Sequence, residues 1–244
     1  MNARLTLAYI GTRFAGWQRQ ANALAVQQVV EEALSGLTGE RVTVVGAGRT
    51  DAGVHAEGQV VSFSLARDFA LSGLVFGTNQ QLPADIRVLA AQLAPHGFDA
   101  QRAAVAKLYR YRLDRSLLIA PARLPFVVSA PSPLDLEALR ASARALVGEH
   151  DFAAFGLAGA RTVTSRRRIF AAGWEESGSE LVFRVAGSGF LRGMVRALVG
   201  TMLEVATGRR SLARFAALLD GATRGEAGPT APAHGLCLER VDYC

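Results

Sequence analysis

The order in which apolar periodicity changes along this chain constrains its fold more than any single motif does. Alternation over Leu5–Ile10 predicts a strand, and apolar residues at 26, 29, 30, 33, 34 and 37 predict a helix over Val26–Leu37, stopped by Gly39. The β-branched runs Val42–Val45 and Gln59–Ser64 read as strands, Phe69–Leu82 as a helix ended by Pro83, and Ile86–Leu93 as a strand. The same order then returns. Lys107–Leu113 alternates as a strand, Pro121–Pro133 is a loop with four prolines, and Leu136–Val147 reads as a helix ended by Gly148. Strands follow near Arg166–Glu175 and Glu180–Ala186. After them come an apolar helix from about Gly189 to Thr207, a short helix over Leu212–Leu219 and a last strand over Leu236–Tyr243. No residue-level repeat accompanies the repeated order.

Two β-α-β-β-α-β runs in tandem predict an α+β protein built from two ferredoxin-like modules, 1–103 and 104–244. The expectation is two antiparallel sheets joined edge to edge, helices on one side and a cleft between the halves. Such a sheet face is a common platform for RNA. With 244 residues, 50% of them hydrophobic, the chain has the material for one large core or two small ones. It holds no run of 18 apolar residues, and its first residues enter a strand rather than a signal peptide, so a cytoplasmic, membrane-free protein is expected. Two cysteines, Cys237 and Cys244, and four scattered histidines show no metal-ligand spacing, and no metal or cofactor is expected. The net charge is +6, and Lys107 is the sole lysine. An arginine-rich surface suits a polyanion and phosphate forks, although a GC-rich genome writes the same composition.

Between the second and third strands lies Gly46–Gly58, with glycines at 46, 48, 53 and 58 and four ionisable groups: Arg49, Asp51, His55 and Glu57. A polar loop held between buried strands is where a rigid scaffold carries chemistry. Arg49 and Asp51 are two apart, so in an extended segment they point to one side. A guanidinium there keeps Asp51 ionised, a poor proton donor but a well-held nucleophile. The alternative is ordinary turn chemistry, in which Asp-Ala-Gly serves only its own backbone. Phosphate cradles are excluded, because Asp51 stands at the sixth place of G-x-G-x-x-G and no P-loop Lys-Ser/Thr pair follows.

Outside the loop, Tyr109 and Tyr111 share one face of their strand, with Arg110 and Arg112 on the other. Tyr111 is assigned to the core; Tyr109, nearer the strand's start, is the candidate to stack on a base. In the apolar helix, Arg192 and Arg196 stand four apart, opposite Leu191, Met194, Val195, Leu198 and Met202. Arg196 shares its row with Val199 and Leu203 and needs an acceptor there, a carboxylate or a substrate phosphate, unless it only lies over apolar neighbours. Arg161 with Arg166–Arg168 is either a phosphate contact or a solvated strand. His55 is either a base or a backbone partner, and Trp17 and Phe14 either stack on a base or fill a lid or core.

These strings together are specific. The run Ala47–His55 (AGRTDAGVH) resembles the signature of the tRNA pseudouridine synthase A family. Supporting stretches are Phe14–Gln20, Lys107–Tyr111, Gly148–Phe152, Phe190–Arg196 with Val199 and Gly200, and Ala231–Leu236. The resemblance implies the pseudouridine synthase fold and isomerisation of uridine to pseudouridine at positions 38, 39 and 40 in the anticodon stem-loop of tRNA. It implies neither cofactor nor metal, and a homodimer holding tRNA across two subunits. It places the nucleophile on Asp51 and substrate contact on Tyr109, with Arg49 and Arg196 as basic groups of the site. The catalytic set is then Asp51, Arg49 and Tyr109, and the substrate-binding set Tyr109, Arg196, Gln59, His55 and Trp17. Departures from the family pattern fall at Ile10-Gly11, Gln101-Arg102 and Ser62, none of them in the Asp51 loop. Two rivals stay open: a non-catalytic RRM-like RNA-binding protein, for which Lys107–Leu113 lacks the glycine and phenylalanine of the aromatic string, and a nucleic-acid N-glycosidase using Asp51 with Glu57.

Overall fold

A computed structural model describes residues 1–157 and 164–244. Among them the chain forms two compact units, Met1–Val105 with Cys237–Cys244, and Ala106–Leu236. The first holds β1 (Asn2–Tyr9), α1 (Val26–Thr38), β2 (Val45–Gly46), β3 (His55–Ser64), α2 (Leu71–Gln81), β4 (Ile86–Leu93) and the closing strand β10 (Leu236–Tyr243). Its strands lie in the order β4-β1-β3-β10, with the short β2 on β3. β1 runs antiparallel to both neighbours, which is the split arrangement the element order predicts. Every second residue of β1 faces the core: Ala3, Leu5, Leu7 and Tyr9 are at most 3% exposed. α1 covers the sheet with Val26, Val30, Ala33 and Leu34, and ends where Gly39 turns left-handed at φ 71°.

The second unit holds β5 (Ala104–Asp114), β6 (Val128–Ser129), α3 (Leu136–Arg144), β7 (Gly148–Asp151), β8 (Arg166–Ser177), β9 (Glu180–Gly187), α4 (Met194–Ala206) and α5 (Leu212–Ala217). Its sheet order is β5-β9-β8-β7, each pair antiparallel, with β6 parallel on β5. Tyr111, Leu113, Phe183 and Val185 from the sheet, Met194, Leu198 and Met202 from α4, and Phe152, Phe155 and Phe215 are all at 0% exposure and make the core. The Gly148–Phe152 string is absorbed here. The Asp151 carboxylate accepts the Ala153 N–H at 3.0 Å, and Phe152 stacks towards Phe155, which stacks towards Phe215.

Three sequence expectations need correction. β3 starts at His55, not Gln59, so His55 and Glu57 are strand residues; parallel pairing of Cys237 with His55 extends it. Gly58 permits that pairing, because a Cβ there would lie 2.3 Å from the Glu239 carbonyl oxygen. α4 starts at Met194, not Gly189, since Gly193 is left-handed at φ 73°, and Arg192 therefore lies before the helix rather than one turn above Arg196. The last strand, expected to complete the second module, belongs to the first unit. Tyr243 anchors it there, donating its hydroxyl to the Ala100 carbonyl at 2.8 Å and tilting against Phe98, with the Arg4 guanidinium over both rings.

Candidate active site

The Asp51 loop is built by two glycine-assisted clasps. On its own chain, the Val54 N–H returns to the Asp51 carbonyl at 3.1 Å, and Gly53, third in that turn, takes φ 79°. A side chain is disfavoured at that angle. From outside, the segment Gly11–Gln18 wraps the loop. Trp17 N–H donates to the Thr50 carbonyl at 3.0 Å and Gly53 N–H to the Phe14 carbonyl at 3.3 Å. Gly16 allows this approach: its φ is 95°, and a Cβ there would stand 2.6 Å from the Thr50 oxygen.

Beneath the loop is a buried polar brace. The Tyr9 hydroxyl and Thr50 Oγ1 share a hydrogen bond of 2.9 Å, and Gln59, at 0% exposure, donates its amide to the Gly48 carbonyl at 2.8 Å. Burial pushes the Tyr9 phenol up, against the hydrogen bonds from Thr50 and Gln59 that lower it, so it stays a neutral donor and acceptor. Trp17 is 2% exposed, stacks on Tyr9 with centroids 6.2 Å apart, and fills the space over Gly46, where a Cβ would be 2.6 Å from the indole. The Phe14–Gln20 string is thereby explained. Trp17 wedges the loop, the Gln18 amide and the Arg19 N–H donate to Gln27 on α1, and the Arg19 guanidinium pairs with Glu31 at 2.9 Å.

The predicted residues thus separate by what they touch. Asp51 is half-buried at the head of the turn. His55 is buried, and its Nδ1 accepts the Gly11 N–H at 3.1 Å, the backbone-partner alternative among those left open. Gln59 and Trp17, expected to meet substrate, are buried supports of the loop in this structure. Arg49, expected beside Asp51, is exposed two residues before the turn that begins there.

Tyr109 and Arg196 belong to the second unit. Tyr109 is 6% exposed and meets Phe190 edge-on at 5.0 Å, while Tyr111 is fully buried with its hydroxyl donating to the Pro232 carbonyl at 2.9 Å. Arg196, half-buried in the first turn of α4, donates Nε to the Ala231 carbonyl at 2.8 Å. Gly200 brings that segment against the helix, because a Cβ there would overlap the Pro229 carbonyl oxygen at 1.8 Å. Arg161 lies outside the described residues; Arg166–Arg168 form the start of β8. Sequence reasoning missed Tyr9 and Thr50. Alternation along β1 puts Tyr9 in line with Leu5 and Leu7, which was the available signal. Among the described residues, no three His, Cys, Asp or Glu side chains group as metal ligands do, and no helix is long and apolar enough to cross a membrane.

Comparison with known proteins gives this loop a context. The tRNA pseudouridine synthase family model matches residues 6–112 and 142–244. A protein of Syntrophotalea carbinolica named tRNA pseudouridine synthase A is 45% identical over 98% of this chain and 95% of its own. Proteins of the same name from Pelobacter propionicus, at 45% over 98% of both chains, and Myxococcus xanthus, at 44% over 98% of this chain and 91% of its own, match as fully. One solved chain, from a Cbf5–Nop10–Gar1 complex, aligns at a TM-score of 0.36 and 10% identity over 82% of this chain and 45% of that one, too loosely to bear on the site. The chain belongs to the tRNA pseudouridine synthase family.

Proposed function

We propose that this protein isomerises uridine to pseudouridine in tRNA, at positions 38, 39 and 40 of the anticodon stem-loop, with Asp51 as nucleophile. The observation that carries the reading is the Asp51 turn itself: a half-buried carboxylate on a loop that Tyr9, Trp17, Thr50 and Gln59 hold from below. A side chain preorganised in this way loses little entropy on meeting its target.

In the reaction the bond between C1′ and N1 breaks, the base turns, and C5 bonds to C1′. The C5 proton leaves and N1 gains one, so product and substrate have the same composition. A uridine inside a stem must first leave the stack, at a cost of a few kcal/mol. Water must be kept from the detached base, since hydrolysis would release uracil. A glycosidase commonly needs two carboxylates, one as acid and one to activate water; here nothing is released, and one nucleophile suffices. Tyr109 is assigned to contact the base and Arg196 to supply positive charge beside it. Arg49, which is exposed, is assigned to an RNA phosphate. The protein acts in the cytoplasm as a homodimer.

Unmodified tRNA incubated with the protein tests the reading. Carbodiimide mapping is expected to find pseudouridine at those positions with no free uracil. Uracil release identifies a glycosidase instead, and binding without either product identifies an RNA-binding module.

A further inference from the structure

The one lysine of the chain lies where the function above does not use it. Lys107 is in the β5 register opposite Gly187 of β9, which in turn lies opposite Ile169 of β8. Residues so aligned share a sheet face, and residues two apart on a strand share it as well. Lys107, Tyr109 and Arg167 therefore stand on one face. Alternation divides the Arg166–Arg168 triplet accordingly. Arg166 and Arg168 are exposed, Glu149 reaches Arg166, and Arg167 turns to the Lys107 side and is half-buried. Gly187 and Gly189 make the room. Phe190 comes down over Gly187 to meet Tyr109, and the Arg167 side chain passes over Gly189, where a Cβ would be 3.7 Å from its Cδ and Nε.

Two cations are thus brought together over an apolar floor of Ile169 and Phe190, beside the candidate base-contacting tyrosine. Among the described residues neither has an acidic partner. The Arg167 guanidinium donates to the carbonyls of Thr164 and Arg166, and Lys107 makes no hydrogen bond or ion pair. The nearest titratable neighbour across the sheet is His150, opposite Arg167 on β7, and its ring faces the Val147 carbonyl. Burial, and then Arg167, push the Lys107 ammonium down, and burial lowers Arg167 too. A protein gains nothing in stability from holding two half-buried like charges side by side. An anion that bridges them removes the repulsion.

We propose that Lys107 and Arg167 clamp one phosphodiester of the RNA next to the nucleotide that Tyr109 contacts. The guanidinium supplies the planar fork and the ammonium a point charge. The inference rests on RNA being the substrate, and it adds a phosphate subsite to that reading.

The test uses Lys107→Met, Arg167→Met, the double variant and Lys107→Arg. For each, the tRNA dissociation constant is measured across a salt series, alongside kcat, KM and melting temperature. Each methionine variant is expected to bind about tenfold more weakly, with KM raised and kcat within about twofold. The plot of log affinity against log salt should flatten by about one unit in the double variant, the value for a single lost phosphate contact. Lys107→Arg should keep most of the affinity. Lys107→Met should melt no lower than wild type, which separates lost binding from lost folding. Wild-type slope and affinity in the double variant overturn the clamp, as does a slope change near two, which means two separate phosphates. If the wild-type protein makes no pseudouridine, the functional reading fails; if it does and the variants bind normally, only the clamp fails.

Discussion

At the scale of single residues, the Asp51 turn is set by atoms too close together for a side chain. Gly16→Ala puts a Cβ at 2.6 Å from the Thr50 oxygen at a φ of 95°. The expected cost is about 1–3 kcal/mol of stability, read by denaturant unfolding, with activity falling further than stability. Gln59→Leu removes the donor to the part-buried Gly48 carbonyl and leaves that acceptor without it. It should cost about 1–3 kcal/mol and lower kcat in protein that is still folded. Arg49→Lys should leave kcat within about tenfold, roughly 1.4 kcal/mol of barrier, because an exposed guanidinium assigned to an RNA phosphate can be replaced there by an ammonium. Asp51, His55 and the glycines were legible as a string. The Arg49–Asp51 pairing was an expectation from spacing, which brings two side chains together only while the backbone stays extended. The roles of Trp17 and Gln59 were hidden for another reason: an aromatic or an amide reads alike whether it supports a loop or meets a ligand.

At the scale of elements, strand and helix order was readable because period-2 and period-3.6 patterns come directly from burial on one face. Ends were less readable. Nothing in the apolar pattern of Leu191–Met202 marks Met194 as the helix start, since Leu191, before the turn at Gly193, is buried too. Ion-pair networks were invisible, because they join distant positions. One fastens the end of β5 to the hairpin of β8 and β9. Arg112 grips Glu180 through two bonds of 2.7 Å, and Arg123 bridges Glu180 and the buried Asp114. The Arg112 fork, against some burial, holds the Glu180 carboxyl below its usual range. Burial raises Asp114, but Ser116, Arg123 and Ser179 outweigh it and leave that carboxyl low as well. Both folded-state values are depressed, so their stability is present above the unfolded carboxylate range, about 4, and is lost as pH falls below it. Acid unfolding monitored by circular dichroism should therefore shift to higher pH in Arg123→Met, which weakens the grip on both carboxylates.

At the scale of the whole chain, the two units share out the sequence in a way that order alone does not reveal, because β10 follows the second unit and packs into the first. Tyr243→Ala removes the hydroxyl bond to Ala100 and the ring packing on Phe98. It should destabilise the first unit by about 2–4 kcal/mol, with hydrogen exchange rising in β1, β3 and β4 before β8 and β9. Alkali acts on both units. Tyr9 in the first and Tyr111 in the second hold phenols raised by burial, with Arg196 slightly lowering Tyr111. Their folded-state values lie above the unfolded one, so stability is complete below about pH 10 and falls as pH rises past it, in step with phenolate absorbance. The central claim is that the Asp51 carboxylate attacks uridine. The direct measurement is single-turnover pseudouridine formation in unmodified tRNA by wild type and Asp51→Asn, with tRNA binding and melting measured on both. Wild-type protein should convert the anticodon-stem uridines, while the asparagine variant, folded and still binding tRNA, forms no pseudouridine. Conversion by the variant at a rate near wild type would contradict the account.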